Sequence, residues 1–72
     1  MRFNDINYIE TIKKRYPRGT RIECDYMSDP KPIPAGTQGT VEMVDDMGMI
    51  HMNWDNGRTL ALLADQDDFH IV

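Results

Sequence analysis

Seventy-two residues, 40% of them hydrophobic, carry a formal charge of −4 and a single cysteine. A chain this short forms one domain and buries only about 60% of the surface that its unfolded form exposes, which demands a compact core. Lone Cys24 excludes an intramolecular disulfide, and with neither a signal-peptide pattern nor an apolar run of about 18 residues the expectation is a soluble, cytoplasmic protein with no membrane segment.

The charge is segregated. Residues 1–21 hold six of the eight basic side chains (Arg2, Lys13, Lys14, Arg15, Arg18 and Arg21) against Asp5 and Glu10, whereas residues 22–72 hold two basic and ten acidic ones. Such a split suits a basic surface for a polyanion, or two parts of one domain that attract each other; the second is the simpler reading.

In chain order, Ile6, Ile9, Ile12 and Tyr16 fall on one helical face, and Asn4 or Asp5 can cap the free amides, so residues 5–16 predict a helix. Lys13, Lys14 and Arg15 sit in its last turn, where the negative end of the helix dipole favours cations, and Pro17 with Gly19 ends it. A helix this short is marginal alone, so its isoleucine stripe must lie on the rest of the chain or on a second copy. Residues 1–16 are therefore assigned to an amphipathic helix and residues 17–72 to a β-rich body, one domain overall, with homodimerisation through the helix left open.

The first strand spans residues 20–26, with Ile22 and Cys24 on one face and Arg21, Glu23 and Asp25 on the other. Residues 28–36 carry three prolines and predict an ordered loop. Strands follow over residues 38–45 and 49–55, joined by Asp46-Met47-Gly48, with Ile50, Met52 and Trp54 pointing inward. Asn56-Gly57 predicts a type I′ turn, in which both central residues need positive φ, into a strand over 59–63 with Leu60 and Leu62 inward. After the polar ADQDD turn, Phe69, His70 and Ile71 form a short closing strand. No internal repeat stands out. The expected fold class is all-β with one N-terminal helix: a small five-stranded SH3-like barrel.

YPRGTRIE, DPKPIPAGTQGTV, VDDMGMIHMNWDNGRTLAL and the terminal DDFHIV, standing in this order over roughly residues 16–72, resemble the bacterial family called domain of unknown function 4314. The resemblance implies an SH3-like barrel and a place among small proteins of bacteria, their phages or mobile elements. It brings no activity and no catalytic residues. The motif positions Gly19, Pro34, Gly36, Gly39, Trp54, Asp55, Asn56 and Gly57 are accounted for by turns and core packing.

No catalytic constellation emerges. Cys24 lies mid-strand on the core face, where a thiol behaves as an inert small hydrophobe, and neither His51 nor His70 is placed beside it by sequence. These residues lack zinc-site spacing, and ADQDD lacks the order of a calcium loop, so no metal and no cofactor are expected. Asp65, Asp67 and Asp68 read as a solvated turn, one carboxylate capping it. The glycines of PAGTQGTV have no phosphate-loop lysine.

Two features suit recognition. Met43, Met49 and His51 on the outward face of the central hairpin, beside the loop holding Tyr26, Met27 and Ile33, make an adaptable apolar surface for a protein partner, or the seat of the N-terminal helix. Lys13, Lys14, Arg15, Tyr16, Arg18 and Arg21 offer phosphate contacts and a ring to stack on a base. The first favours a non-enzymatic protein-protein adaptor or modulator; the second, a nucleic-acid-binding accessory, must contend with the acidic body. Trp54 is expected in the core rather than in a groove for proline-rich peptides.

Overall fold

The computed structural model describes residues 6–72. Helix α1 (Ile6–Arg15) precedes five strands, β1 (Arg21–Tyr26), β2 (Gln38–Val44), β3 (Met49–Trp54), β4 (Leu62–Leu63) and β5 (Asp68–Ile71), in one antiparallel sheet of order β4-β3-β2-β1-β5. The proposed cap residues Asn4 and Asp5, like Arg2, lie outside the described residues.

The sheet is open. β4 contributes only the pairs Met49↔Leu63 and Ile50↔Leu62, and no ladder joins β4 to β5 among the described residues, so closure into a barrel is not observed. The strand expected over 59–63 shortens because its neighbours take its polar groups elsewhere. The Trp54 indole Nε1 donates to the Leu60 carbonyl at 2.8 Å, and the Arg58 guanidinium reaches back to the carbonyls of Lys31 and Pro32 at 2.7 and 3.1 Å. Leu60 is only partly buried as a result.

A repeat unrecognised in the sequence organises β1 and β2. Pro17-Arg18-Gly19-Thr20 and Pro34-Ala35-Gly36-Thr37 each close a turn, Thr20 N to Pro17 O and Thr37 N to Pro34 O, both at 3.1 Å. Gly19 N donates to Val41 O and Val41 N to Thr20 O; seventeen residues on, Gly36 N donates to Cys24 O and Cys24 N to Thr37 O. Each pair is a bulge whose first residue is a left-handed glycine, φ +93° at Gly19 and +89° at Gly36. With Arg21↔Thr40, Ile22↔Gly39 and Glu23↔Gln38 between them, the two copies pair with each other about a local two-fold.

The two hairpins use the same device. Asp45 N bonds Met49 O while Gly48 N bonds Asp45 O, and Trp54 N bonds Arg58 O while Gly57 N bonds Trp54 O. The loop at Asn56 is therefore three residues long, Asp55-Asn56-Gly57, and not a type I′ turn: no described residue other than glycine has positive φ. Asn56 instead accepts the Arg58 amide through its Oδ1.

Ile22, Cys24, Ile33, Val41, Ile50, Met52 and Leu62 are fully buried, with Ile12, Met27, Val44 and Trp54 around them. Gly39 pairs with Trp54, and a Cβ at that position would stand 2.7 Å from the indole Cε3, so only glycine lets the ring lie on β2. Helix α1 settles on the hairpin: Ile9 and Ile12 are buried, Tyr8 and Ile9 flank Gly48, and Lys13 Nζ reaches Asp46 at 3.0 Å, while Ile6 remains exposed.

Candidate functional site

The β2–β3 hairpin carries two of the six large hydrophobic residues that stand exposed among the described residues, Met43 and Met47. A bulge between Val41 and Met43 inserts Glu42 and turns Met43 outward, opposite His51. Met49, two residues before His51, pairs with Leu63, so Met43, His51, Met49 and Leu63 share one face. Met47 projects from the turn; it is 57% exposed and Met43 50%. Met47, Met49, Leu63 and Gln66 line an apolar depression of about 280 Å³. A larger, open hollow of about 560 Å³ lies on the other side of His51, along Gly57 to Ala61.

His51 is fixed rather than free. Its Nε2 stands 2.7 Å from Asp45 Oδ2, and Asp45 Oδ1 accepts the amides of Met47 and Met49. Burial pushes the Asp45 carboxyl up, but the hydrogen bonds from His51, Met49 and Met47 outweigh it and hold the group below the ordinary carboxylate range. The clasp sets the shape of the turn that presents Met47.

The structure brings together Met43, Met49 and His51 and separates the other three members of the predicted protein-binding face. Met27 and Ile33 are core residues, 4% and 2% exposed. The proline-rich loop is pinned inward at several points: Ser28 N bonds Asp67, Arg58 holds the carbonyls of Lys31 and Pro32, and the Cys24 thiol points at the Ile33 carbonyl. Tyr26 is 60% exposed but ends β1 beyond the start of β2, at the opposite end of the ladder from Met43, on the order of 20 Å away along the strands. Sequence reading passed over Met47 and Leu63; the alternation of Met47, Met49 and His51 about Gly48 was the available signal.

The six residues of the basic cluster are spread along the α1–β1 junction, Lys13 reaching the β2–β3 turn and Arg21 the far end of β3, and most are engaged. Lys13 pairs with Asp46, Arg18 approaches Glu42 at 3.8 Å, and the Arg15 guanidinium stands 5.7 Å from the Tyr16 ring centroid. Tyr16 also packs edge-on against Phe69, with centroids 5.5 Å apart. Arg21 grips Asp55 with both terminal nitrogens, at 2.9 and 2.6 Å, and also bonds Thr40 and Gln38. That bond raises the Arg21 value and lowers that of Asp55. Lys14 is exposed.

Cys24 is fully buried, and burial, then Asp67 and Asp25, push its thiol up, away from a reactive thiolate. Asp67 is the capping carboxylate of the ADQDD turn. It is 8% exposed and accepts Leu63 N at 2.8 Å and Ser28 N at 3.1 Å, tying β4 to the segment after β1. Glu23, Asp25 and His70 converge on the outer face of β1 and β5, their donor atoms within 4.8 Å of one another.

Residues 5–72 match the profile of the family described as Domain of unknown function (DUF4314). The chain belongs to the DUF4314 family. The match runs through α1 as well as the sheet, so the helix is part of the DUF4314 unit. No match is found among curated proteins or solved structures. The DUF4314 description assigns no activity, and the functional reading rests on the surfaces described above.

Proposed function

We propose that this protein is a non-enzymatic module that binds another protein through the outer hairpin face, with Met49 at the centre and Met43, Met47, His51 and Leu63 around it. The observation that carries the reading is the pair of half-exposed thioethers, Met43 and Met47, beside an apolar depression that Met47 and Met49 line on the outer face of the hairpin. Asp65 beside Gln66 puts negative charge at the margin, which suits a partner segment with an apolar anchor flanked by lysine or arginine. We read the open sheet as a partly opened SH3-like barrel, its last strand returning to the first, and the setting as the bacterial cytoplasm, for a protein of the bacterium, its phage or a mobile element. The basic junction is a weaker candidate for nucleic acid, since Lys13, Arg18 and Arg21 already face carboxylates.

Affinity capture with wild-type, Met49→Asp and Met47→Asp baits tests the proposal. A partner retained by wild type and lost from both variants is expected; equal retention overturns the reading. An ¹⁵N amide titration with short RNA and DNA closes the alternative: salt-sensitive shifts confined to residues 13–21 would replace the adaptor with a nucleic-acid accessory.

A further inference from the structure

We propose that Glu23 and His70, oriented by Gln38 and Asp25, form a cross-strand site for a divalent transition-metal ion of the zinc class, joining β5 to β1. The site lies away from the methionine face and does not depend on it. Glu23 and His70 are direct partners in the β1–β5 register, and Asp25 follows Glu23 by two residues on the same outer face. Asp25 Oδ2 stands 2.7 Å from His70 Nδ1. An ionised carboxylate only accepts, so Nδ1 carries a proton, and whenever the ring is neutral its lone pair is at Nε2.

That lone pair faces another. Glu23 Oε1 accepts the Gln38 amide at 3.1 Å, and Gln38 is itself held by Arg21 at 3.3 Å, so Glu23 turns Oε2 toward His70 Nε2, 3.8 Å away. With the ring neutral, two acceptors at this separation make no hydrogen bond, and either a proton on Nε2 or a metal ion between them relieves the pair. Ligand atoms about 2.0–2.2 Å from a tetrahedral ion lie roughly 3.4 Å apart, so a shift of a few tenths of an ångström in two surface side chains completes the bridge. Both side chains reach solvent, 29% exposed at Glu23 and 50% at His70, which leaves room for water to fill the remaining positions.

Imidazole with a carboxylate selects zinc-like ions over calcium and magnesium, which take oxygen donors. Asp25 hydrogen-bonded behind the ligating histidine is the usual arrangement that fixes a metal-binding tautomer. Without metal the same two carboxylates attract a proton: the bond to Asp25, with added attraction from Asp25 and Glu23, raises the His70 value. Metal and proton therefore compete for Nε2.

The test is an ¹⁵N amide titration of the full chain with Zn²⁺ at slightly alkaline pH, repeated with His70→Ala, Glu23→Gln, Asp25→Asn and, as a control, His51→Ala. Saturable one-to-one shifts confined to β1 and β5 are expected, with binding at least about tenfold weaker in His70→Ala and Glu23→Gln and about 10–100-fold weaker in Asp25→Asn. His51→Ala should bind as wild type, and affinity should fall as the pH is lowered through the His70 titration. Absence of saturation by millimolar Zn²⁺ in the wild type, or unchanged binding by His70→Ala, overturns the proposal. The wild-type titration, through whether its shifts saturate and fall on β1 and β5, decides the matter even if a variant fails to fold.

Discussion

Two ends of one sheet face are built on opposite plans. Over β1 and its neighbours the outer face is a polar chain: Asp55 to Arg21, Arg21 to Gln38, Gln38 to Glu23, then across to His70 and Asp25. At the β2–β3 hairpin the same face ends in Met43, Met47 and Met49, whose side chains have no polar group to satisfy. A partner settling on the first end must replace hydrogen bonds that the protein already makes; at the second it removes apolar surface from water and breaks nothing. The difference identifies the hairpin end as the place where covering the sheet is cheapest.

The largest expected effect comes from the floor that both ends share. Trp54 is 3% exposed, packs on Gly39 and donates to Leu60, so Trp54→Ala should cost about 3–5 kcal/mol in urea unfolding, much of the stability available to so small a core. A loss of this size would show that the polar chain and the methionine end depend on one core. Next is Asp67→Ala, which leaves the Leu63 and Ser28 amides without their acceptor and should cost about 1–3 kcal/mol. Asp67→Asn, which keeps one acceptor oxygen, should recover part of that loss.

The comparison sharpens with pH, because each end carries one histidine facing carboxylate, His70 at Asp25 and Glu23 and His51 at Asp45, and the two ends respond oppositely. His70 has its value raised above the ordinary 6.5, so its contribution is fully present below the unfolded value and disappears as pH rises through the folded one. Asp45 has its value lowered below 3.8, so its contribution is present above the unfolded value and is lost as pH falls through the folded one. The stability gap between wild type and His70→Ala should close on going from mildly acidic to alkaline pH. The gap to Asp45→Asn should instead close in acid. Parallel pH dependences would mean that the two ends are not electrostatically distinct.

Much of this architecture was legible in the chain. The alternation of Ile22 and Cys24 with charged neighbours marks β1, and the helical spacing of Ile9 and Ile12 marks α1 with its buried face. Three things were not legible, each for a physical reason. Prolines mark residues 28–36 as a loop but not its direction, and distant carboxylate and guanidinium contacts fold Ile33 inward. Asn56-Gly57 permits two hairpin types, and the longer loop prevails, with Asn56 capping Arg58 from negative φ. His70 lies more than forty residues from Glu23 and Asp25, and only the β1–β5 register makes it their neighbour.

The smallest expected effect is the most discriminating. Met43 and Met47 are half exposed and their thioether side chains replace no hydrogen bond, so Met43→Ser and Met47→Ser should change stability by no more than about 0.5 kcal/mol, read from thermal or urea unfolding. If either costs as much as a core truncation, the hairpin end is an extension of the core beneath α1 and the contrast between the two ends collapses. If both are neutral, this surface contributes nothing measurable to the fold. Two methionines held half in water by a bulge at Glu42 and a clasp at Asp45 then stay available to the proposed partner at no cost to the fold.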